Sequence, residues 1–167
     1  MGTYQDVYDN AQADLGRFWL EAAKSVDWVT PPSRAVDTSN PPFSRWFPDG
    51  ELNTCYNAVD RHVAAGRGDQ KAIIYDSPIT GSASNMSFAE LQTATARFAG
   101  MLARLGVAKG DRVIIYMPMI PQSLVAMLGC ARLGAVHSVV FGGFASAELA
   151  KRIDDAQPKA IISASCG

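Results

Sequence analysis

Two adjacent glycines between a predicted strand and a predicted helix form the strongest candidate for chemistry in this sequence. The strand ends at Phe141, Gly142 and Gly143 make the turn, and Ser146 is the predicted N-cap of the next helix. Adjacent glycines let a backbone turn tightly and approach a ligand closely. The free N–H groups and partial positive charge of a helix N-terminus favour a phosphate. The ring of Phe141 or Phe144 could stack on a purine.

A second interpretation of the same turn stays open, in which the two glycines are needed only for steric reasons between a strand and a helix. The turn lacks the Gly-x-Gly-x-x-Gly spacing of a dinucleotide-binding fingerprint. Residues 80–84 superficially resemble a phosphate loop, but they contain no lysine, and we interpret them as a solvated loop. The residues alone therefore leave both a ligand contact and a purely structural turn possible.

The remaining polar candidates are isolated, and we interpret them as structural. Asp154 and Asp155 fall on different faces of a predicted helix and indicate surface charge. His62 has no Asp or Ser partner at a readable spacing, so it is interpreted as a packed or surface residue. His137 lies in a buried strand as a satisfied core histidine, and Cys130 is a small hydrophobe of a core helix. We predict no catalytic residue and no metal ligand in this sequence.

The glycine turn lies within a predicted alternation of strands and helices. Continuous apolar runs predict three strands buried on both faces, at residues 113–116, 135–141 and 160–163. Helices are predicted between them, one from Pro121 to Gly134 and one from Ser146 to just before Pro158. Short links and buried strands predict a parallel sheet with flanking helices, the start of a doubly wound α/β fold. Ligands of such folds lie at the carboxyl ends of the strands.

The first 62 residues differ from the rest and predict a separate, aromatic-rich N-terminal segment. All three tryptophans lie there, and apolar residues three or four apart between Tyr4 and Trp19 predict one helix. Proline pairs at residues 31–32 and 41–42 interrupt regular structure and predict an extended stretch after it. We therefore predict two domains, residues 1–62 and residues 63–167.

The charge balance and the cysteine pattern exclude several classes of protein. Fifteen Lys and Arg residues are interspersed with 16 Asp and Glu residues, so no basic stripe indicates nucleic-acid binding. Residues 113–131 carry no charge, but two prolines interrupt them, and we predict a strand, a turn and a core helix rather than a membrane span. The polar N-terminus and the three widely spaced cysteines predict a cytoplasmic protein, or a mitochondrial-matrix protein in a eukaryote.

Runs of residues spread over almost the whole chain resemble the acetyl- and propionyl-CoA synthetases of the adenylate-forming superfamily. The run RWFPDGELNTCYN at residues 45–57 is similar to their N-terminal segment. Further similar runs lie at residues 61–63, 68–70, 72–76, 110–119, 134–144 and 152–155. Residues 53–57 and 164–167 are more similar to the propionyl-CoA branch than to the acetyl-CoA branch.

The resemblance implies a two-step ligation that uses ATP, Mg²⁺ and coenzyme A. A short-chain carboxylate attacks the α-phosphate of ATP, which gives an acyl-adenylate and pyrophosphate, and the thiol of coenzyme A then displaces AMP. The resemblance also implies that residues 63–167 begin the AMP-binding domain. It further implies that Phe141, Gly142 and Gly143 contact the adenine end of coenzyme A.

Several parts of the family's pattern have no counterpart in these residues. The phosphate loop with its lysine, the ribose-binding aspartate, the acyl pocket and the catalytic lysine are all missing. We therefore expect an N-terminal fragment that does not adenylate by itself, and whose sheet keeps an unpaired edge that favours aggregation. The alternative is a non-catalytic interaction module that retains this fold. A nicotinamide oxidoreductase is disfavoured by the missing glycine fingerprint.

Overall fold

A computed structural model describes residues 2–143 and 145–165 of the chain. The chain divides into two units, residues 1–53 and residues 54–167, each with its own helices and strands. The domain boundary that we expect after residue 62 stays a prediction.

The first unit contains two short helices and a hairpin, namely α1 (Tyr4–Ala13), α2 (Leu15–Ala23), β1 (Val36–Asn40) and β2 (Phe43–Trp46). The prediction of a single helix up to Trp19 is wrong, because the chain leaves the helical conformation at Asp14. The side chain of Asp14 instead caps α2, since its Oδ1 accepts a hydrogen bond from the Arg17 N–H at 2.9 Å. Aspartate side chains compete with the helical backbone in this way.

Aromatic rings of the first unit pack on one another. The rings of Trp19 in α2 and Trp46 in β2 meet edge to face with centroids 5.7 Å apart, and those of Trp28 and Phe47 meet at 5.4 Å. A side chain at Gly50 would meet the Trp28 ring, because an ideal Cβ there would lie 2.7 Å from it. The stretch after the helices, which the proline pairs predict to be extended, folds back on itself and forms the antiparallel hairpin β1–β2.

The second unit begins with a helical segment at residues 54–67, which includes π-helical turns at Tyr56–Asp60 and Val63–Arg67. The strands β3 (Lys71–Ser77) and β4 (Ser82–Ser87) follow as an antiparallel hairpin. The prediction of a solvated loop at residues 80–84 is wrong from Ser82 onward. The side chains of β4 carry little apolar pattern, and backbone pairing with β3 makes this segment a strand.

Helix α3 (Phe88–Arg104) has a local signal for each of its ends. The Ser87 Oγ accepts a hydrogen bond from the Glu90 N–H at 3.2 Å, and the Ser87 N–H donates to the Glu90 carboxylate at 2.7 Å. This reciprocal pair is a capping box. Gly106 follows the last turn with φ of 83°, a left-handed conformation that glycine adopts without strain.

Three parallel strands form the sheet of the second unit, with the order β6–β5–β7. The chain runs through β5 (Arg112–Met117), α4 (Pro121–Leu133), β6 (Val136–Phe141), α5 (Ser146–Ala156) and β7 (Ala160–Ser163). This order confirms the predicted α/β fold with a parallel sheet and flanking helices. Ser146, however, is the first residue of α5 and not its cap, because the N-cap position is Ala145, which has no side-chain donor or acceptor.

The central strand β5 holds the core of this sheet. Val113, Ile114 and Ile115 are fully buried, and each such side chain contributes roughly 1.5–3 kcal/mol when it leaves water. The uncharged residues 113–131 form most of β5, a turn and most of α4. Within the part of the chain that the structure describes, no helix is both long enough and apolar enough to cross a membrane.

Candidate functional site

The carboxyl ends of β5 and β6 meet at one edge of the sheet. The two strands are parallel neighbours, and Met117 of β5 is paired with Phe141 of β6. A cavity of about 230 Å³ opens directly beyond this pair. Its lining consists of Met117, Pro118, Met119, Phe141, Gly142 and Gly143. The cavity therefore lies where doubly wound folds bind their ligands.

Both glycines of the predicted turn line this cavity, and each has a separate steric role. An ideal Cβ on Gly142 would lie 3.1 Å from the carbonyl carbon and oxygen of Met117, so glycine lets the two strand ends approach. An ideal Cβ on Gly143 would lie 2.6 Å from the ring of Phe141. Glycine at 143 therefore lets the Phe141 ring lie over the backbone, and this residue remains 67% exposed.

The opposite wall of the cavity is a tight turn between β5 and α4. The carbonyl of Pro118 accepts a hydrogen bond from the Ile120 N–H at 2.8 Å, which places Met119 at the apex of the turn. The Ile120 carbonyl in turn accepts from the Ser123 N–H at 3.0 Å and from its hydroxyl at 2.7 Å. This wall is thus held by hydrogen bonds and by the fixed φ of Pro118.

The lining residues are apolar or glycine, and none of them carries a charge. Aromatic and thioether side chains suit a flat, neutral ring better than a phosphate group. The structure brings together the three predicted site residues Phe141, Gly142 and Gly143. The suggestion that Phe144 stacks on a purine lies outside the described residues.

Sequence reasoning missed the other wall, formed by Met117, Pro118 and Met119. Nothing in the local sequence of these residues indicates a site, because the two prolines are typical of an ordinary strand-to-helix turn. The parallel pairing of β5 with β6 shows that these residues border the cavity, since it places the end of one strand beside the end of the other.

The histidines and cysteines that the sequence singled out lie outside this cavity. His62 contacts Arg67 through its Nδ1 and meets the Phe88 ring edge to face at 5.0 Å. Burial raises the pKa of the Cys130 thiol to about 11, which agrees with a small buried hydrophobe. Among residues 2–143 and 145–165, no group of three or more His, Cys, Asp or Glu side chains is placed to hold a metal ion.

The prediction that His137 is a satisfied core histidine is wrong. Its Nδ1 is buried and has no hydrogen-bond partner in the structure. Burial lowers the pKa of this imidazole, because the charged form loses solvation there. The sequence pattern correctly places His137 in a strand. It carries no information on whether a hydrogen-bond partner faces the ring nitrogen.

A partly buried ionic cluster elsewhere in the second unit was also missed. Both Asp60 carboxylate oxygens accept hydrogen bonds from the Arg132 guanidinium, at 2.8 and 2.7 Å. The Gln92 side-chain amide donates to the same carboxylate at 2.8 Å. The cluster joins the π-helical turn Tyr56–Asp60 to α3 and α4, so its role is to hold helices together.

Comparison with known proteins identifies the family of this chain. A family model described as AMP-binding enzyme matches residues 60–166, which is more than half of the chain. A second model, described as acetyl-coenzyme A synthetase N-terminus, matches residues 4–58. The chain belongs to the AMP-binding enzyme family.

Curated relatives align with nearly the whole chain. An uncharacterized protein of Pseudomonas aeruginosa is 54% identical over 165 residues, which are 99% of this chain and 26% of the relative. The mitochondrial acyl-CoA synthetase short-chain family member 3 of Mus musculus is 49% identical over 99% of this chain and 24% of its own length. An acetyl-coenzyme A synthetase of Streptomyces avermitilis is 50% identical over 97% and 25%, respectively. The chain spans about a quarter of the length of these relatives.

Proposed function

We propose that this chain supplies the N-terminal part of an AMP-forming short-chain acyl-CoA synthetase. The protein would join a small carboxylate to coenzyme A and convert ATP to AMP and pyrophosphate. The two family models and the names of the mouse and Streptomyces relatives support this activity. The apolar cavity at the ends of β5 and β6 is the structural observation that links the proposal to particular residues.

Adenylation solves a problem of leaving groups. A carboxylate oxygen is expelled poorly, whereas AMP leaves readily once the carboxylate has attacked the α-phosphate of ATP. Mg²⁺ would supply neutralisation of the negative charge that builds on the phosphate oxygens. The residues that the structure describes hold no acidic cluster that fits such an ion, so we assign it no ligand among them. Their part in the reaction is to bind and orient.

Within that activity, we assign the cavity of Phe141, Gly142 and Gly143 to the adenine end of coenzyme A. Phe141 is 67% exposed and offers an aromatic ring for stacking, and Gly143 leaves space beside that ring which a Cβ would fill. Stacking of a base on an aromatic side chain is worth about 1–3 kcal/mol. The uncharged lining fits an adenine ring, and a separate place is needed for the phosphates.

The substitution Phe141→Ala in the full-length enzyme tests this assignment. Loss of the stacking energy is expected to raise KM for coenzyme A by about 5- to 150-fold. Carboxylate-dependent exchange of pyrophosphate into ATP, which needs no coenzyme A, should change little. Phe43→Ala removes another exposed aromatic ring, in the first unit, and serves as the matched control. An unchanged KM for coenzyme A, or a loss of exchange activity instead, would contradict the assignment.

We propose propionate as the preferred acid, with acetate as the competitor. The similarity of residues 53–57 to the propionyl-CoA branch supports this choice. The test is the ratio of kcat/KM for the two acids in the full-length enzyme, and a ratio in favour of acetate refutes it. Residues 1–167 alone are expected to show no propionate-dependent exchange.

We propose a cytoplasmic location, or the mitochondrial matrix in a eukaryote, and the mitochondrial name of the mouse relative supports the latter.

A further inference from the structure

Met119 is the most exposed methionine among the described residues. Its side chain and backbone are 83% exposed, whereas Met101, the next most exposed, reaches 38%. Met86, Met117 and Met127 are only partly exposed. A thioether in this position meets dissolved oxidants freely, and susceptibility to oxidation follows exposure.

Hydrogen bonds also hold the backbone at Met119 in place. The turn is closed by the hydrogen bond from the Ile120 N–H to the Pro118 carbonyl, and Ser123 anchors the following residue to the start of α4. Because Met119 is the central residue of this closed turn, it cannot withdraw without breaking these bonds. The turn therefore keeps Met119 beside the cavity that this residue lines.

Met119 and Phe141 line the same cavity from opposite strand ends. A thioether beside an aromatic surface makes a favourable contact, and a bound ring would lie between an aromatic wall and a thioether wall. A sulfoxide at this place would put a strongly polar oxygen into a lining that holds no charge. Such a group weakens the contact with any flat apolar ligand.

We propose that Met119 is an oxidation site, and that its conversion to the sulfoxide weakens binding in this cavity. The oxidant is hydrogen peroxide or another hydroperoxide. The peroxide O–O bond breaks, one oxygen atom bonds to the sulfur, and the other leaves as water or an alcohol. The sulfur is oxidised by two electrons and the peroxide is reduced by two. The identity of the weakened ligand, coenzyme A, rests on the proposed function.

The test treats the full-length enzyme with hydrogen peroxide and then with dithiothreitol, which returns oxidised cysteines to thiols but leaves methionine sulfoxide in place. Peptide mass spectrometry should find one added oxygen at Met119 earlier than at Met101. KM for coenzyme A should rise by about 2- to 10-fold, as loss of one thioether–aromatic contact predicts. Pyrophosphate exchange should be unaffected, and methionine sulfoxide reductase should restore the original KM.

Three variants make the result specific, and each is compared with its own untreated sample. Met101→Leu should respond to peroxide as the parent enzyme does, whereas Met119→Leu should not respond. Met119→Gln, which places a polar group in the cavity without oxidation, should raise KM for coenzyme A by itself. An equal response of the Met119→Leu enzyme, or absence of oxygen at Met119, overturns the proposal.

The closing comparison separates this inference from the function on which it rests. If Phe141→Ala raises KM for coenzyme A and oxidation of Met119 does not, only the oxidation site fails. If Phe141→Ala also leaves KM unchanged, the assignment of the cavity fails and the effect of oxidation on coenzyme A fails with it.

Discussion

Whether a helical glycine of this chain can be replaced depends on the atoms that an added side chain would contact. Gly129 of α4 packs against α3, and an ideal Cβ there would lie 2.6 Å from Cδ1 of Phe98. Gly100 lies in the interior of α3, and an ideal Cβ there would meet nothing within 4 Å. The same residue type, in the middle of a helix in both cases, is thus required at one position and dispensable at the other.

Replacing each of these glycines with alanine should give effects of opposite sign. Gly129→Ala forces the Phe98 ring to move, and overpacking of this kind costs roughly 1–3 kcal/mol, more than the gain in helix propensity. Gly100→Ala should raise the free energy of unfolding by about 0.5–1 kcal/mol, because alanine loses less backbone entropy. Chemical denaturation of the full-length protein measures both. A stabilising Gly129→Ala variant would show that the packing of α3 on α4 is loose.

At the scale of elements, α3 and α4 and the π-helical turn Tyr56–Asp60 are joined by the cluster around Asp60. The Arg132 side chain is 28% exposed and that of Asp60 is 15% exposed, so both charges are partly removed from water. Removal of one partner from a buried pair leaves an uncompensated charge. The pair therefore acts as a clamp between elements more than as a net source of stability.

A double-mutant cycle tests this clamp. Asp60→Ala or Arg132→Ala alone should lower the free energy of unfolding by about 1–3 kcal/mol, less than for a fully buried pair. The double variant should be no less stable than the worse single variant. The exposed pair Glu148–Lys151, with nitrogen and oxygen 2.6 Å apart, is the control and should give a coupling energy of about 0–1 kcal/mol. Additive losses at Asp60 and Arg132 would refute the clamp.

The contrast between these elements explains how much the sequence could predict. The capping box of Ser87 and Glu90 is local, and the continuous apolar run of β5 identifies a buried strand without help from distant residues. Asp60 and Arg132 are 72 positions apart, and no local pattern joins them. The Phe141–Gly143 side of the cavity has turn chemistry that can be read in sequence. Its Met119 side depends on strand register, which only the assembled sheet determines.

At the scale of the whole molecule, the sheet has two strands with an open side. Within residues 2–143 and 145–165, β6 and β7 each pair with β5 alone. Val139 of β6 is 54% exposed, and Ile161 of β7 is 47% exposed. Open strand edges with apolar side chains are templates for pairing with another chain.

Residues 1–167 expressed by themselves should therefore associate through these edges. Val139→Lys places a charge on β6 and should reduce the fraction of large species, since a lysine on an edge strand opposes pairing. Ala96→Lys adds the same charge on the exposed surface of α3 and should not reduce it. Size-exclusion chromatography with light scattering measures the distribution. A monodisperse monomer of the unaltered residues would contradict the prediction.

The central place of β5 also has a consequence for the order of assembly during translation. The ribosome synthesises β5 before β6 and β7. Both neighbouring strands must therefore pair with a strand that is already present. At about 5–20 residues per second, β7 emerges roughly one to four seconds after β6. During that interval a nascent chain holds β5 covered on one flank and bare on the other, which is the time at which a chaperone has most to protect.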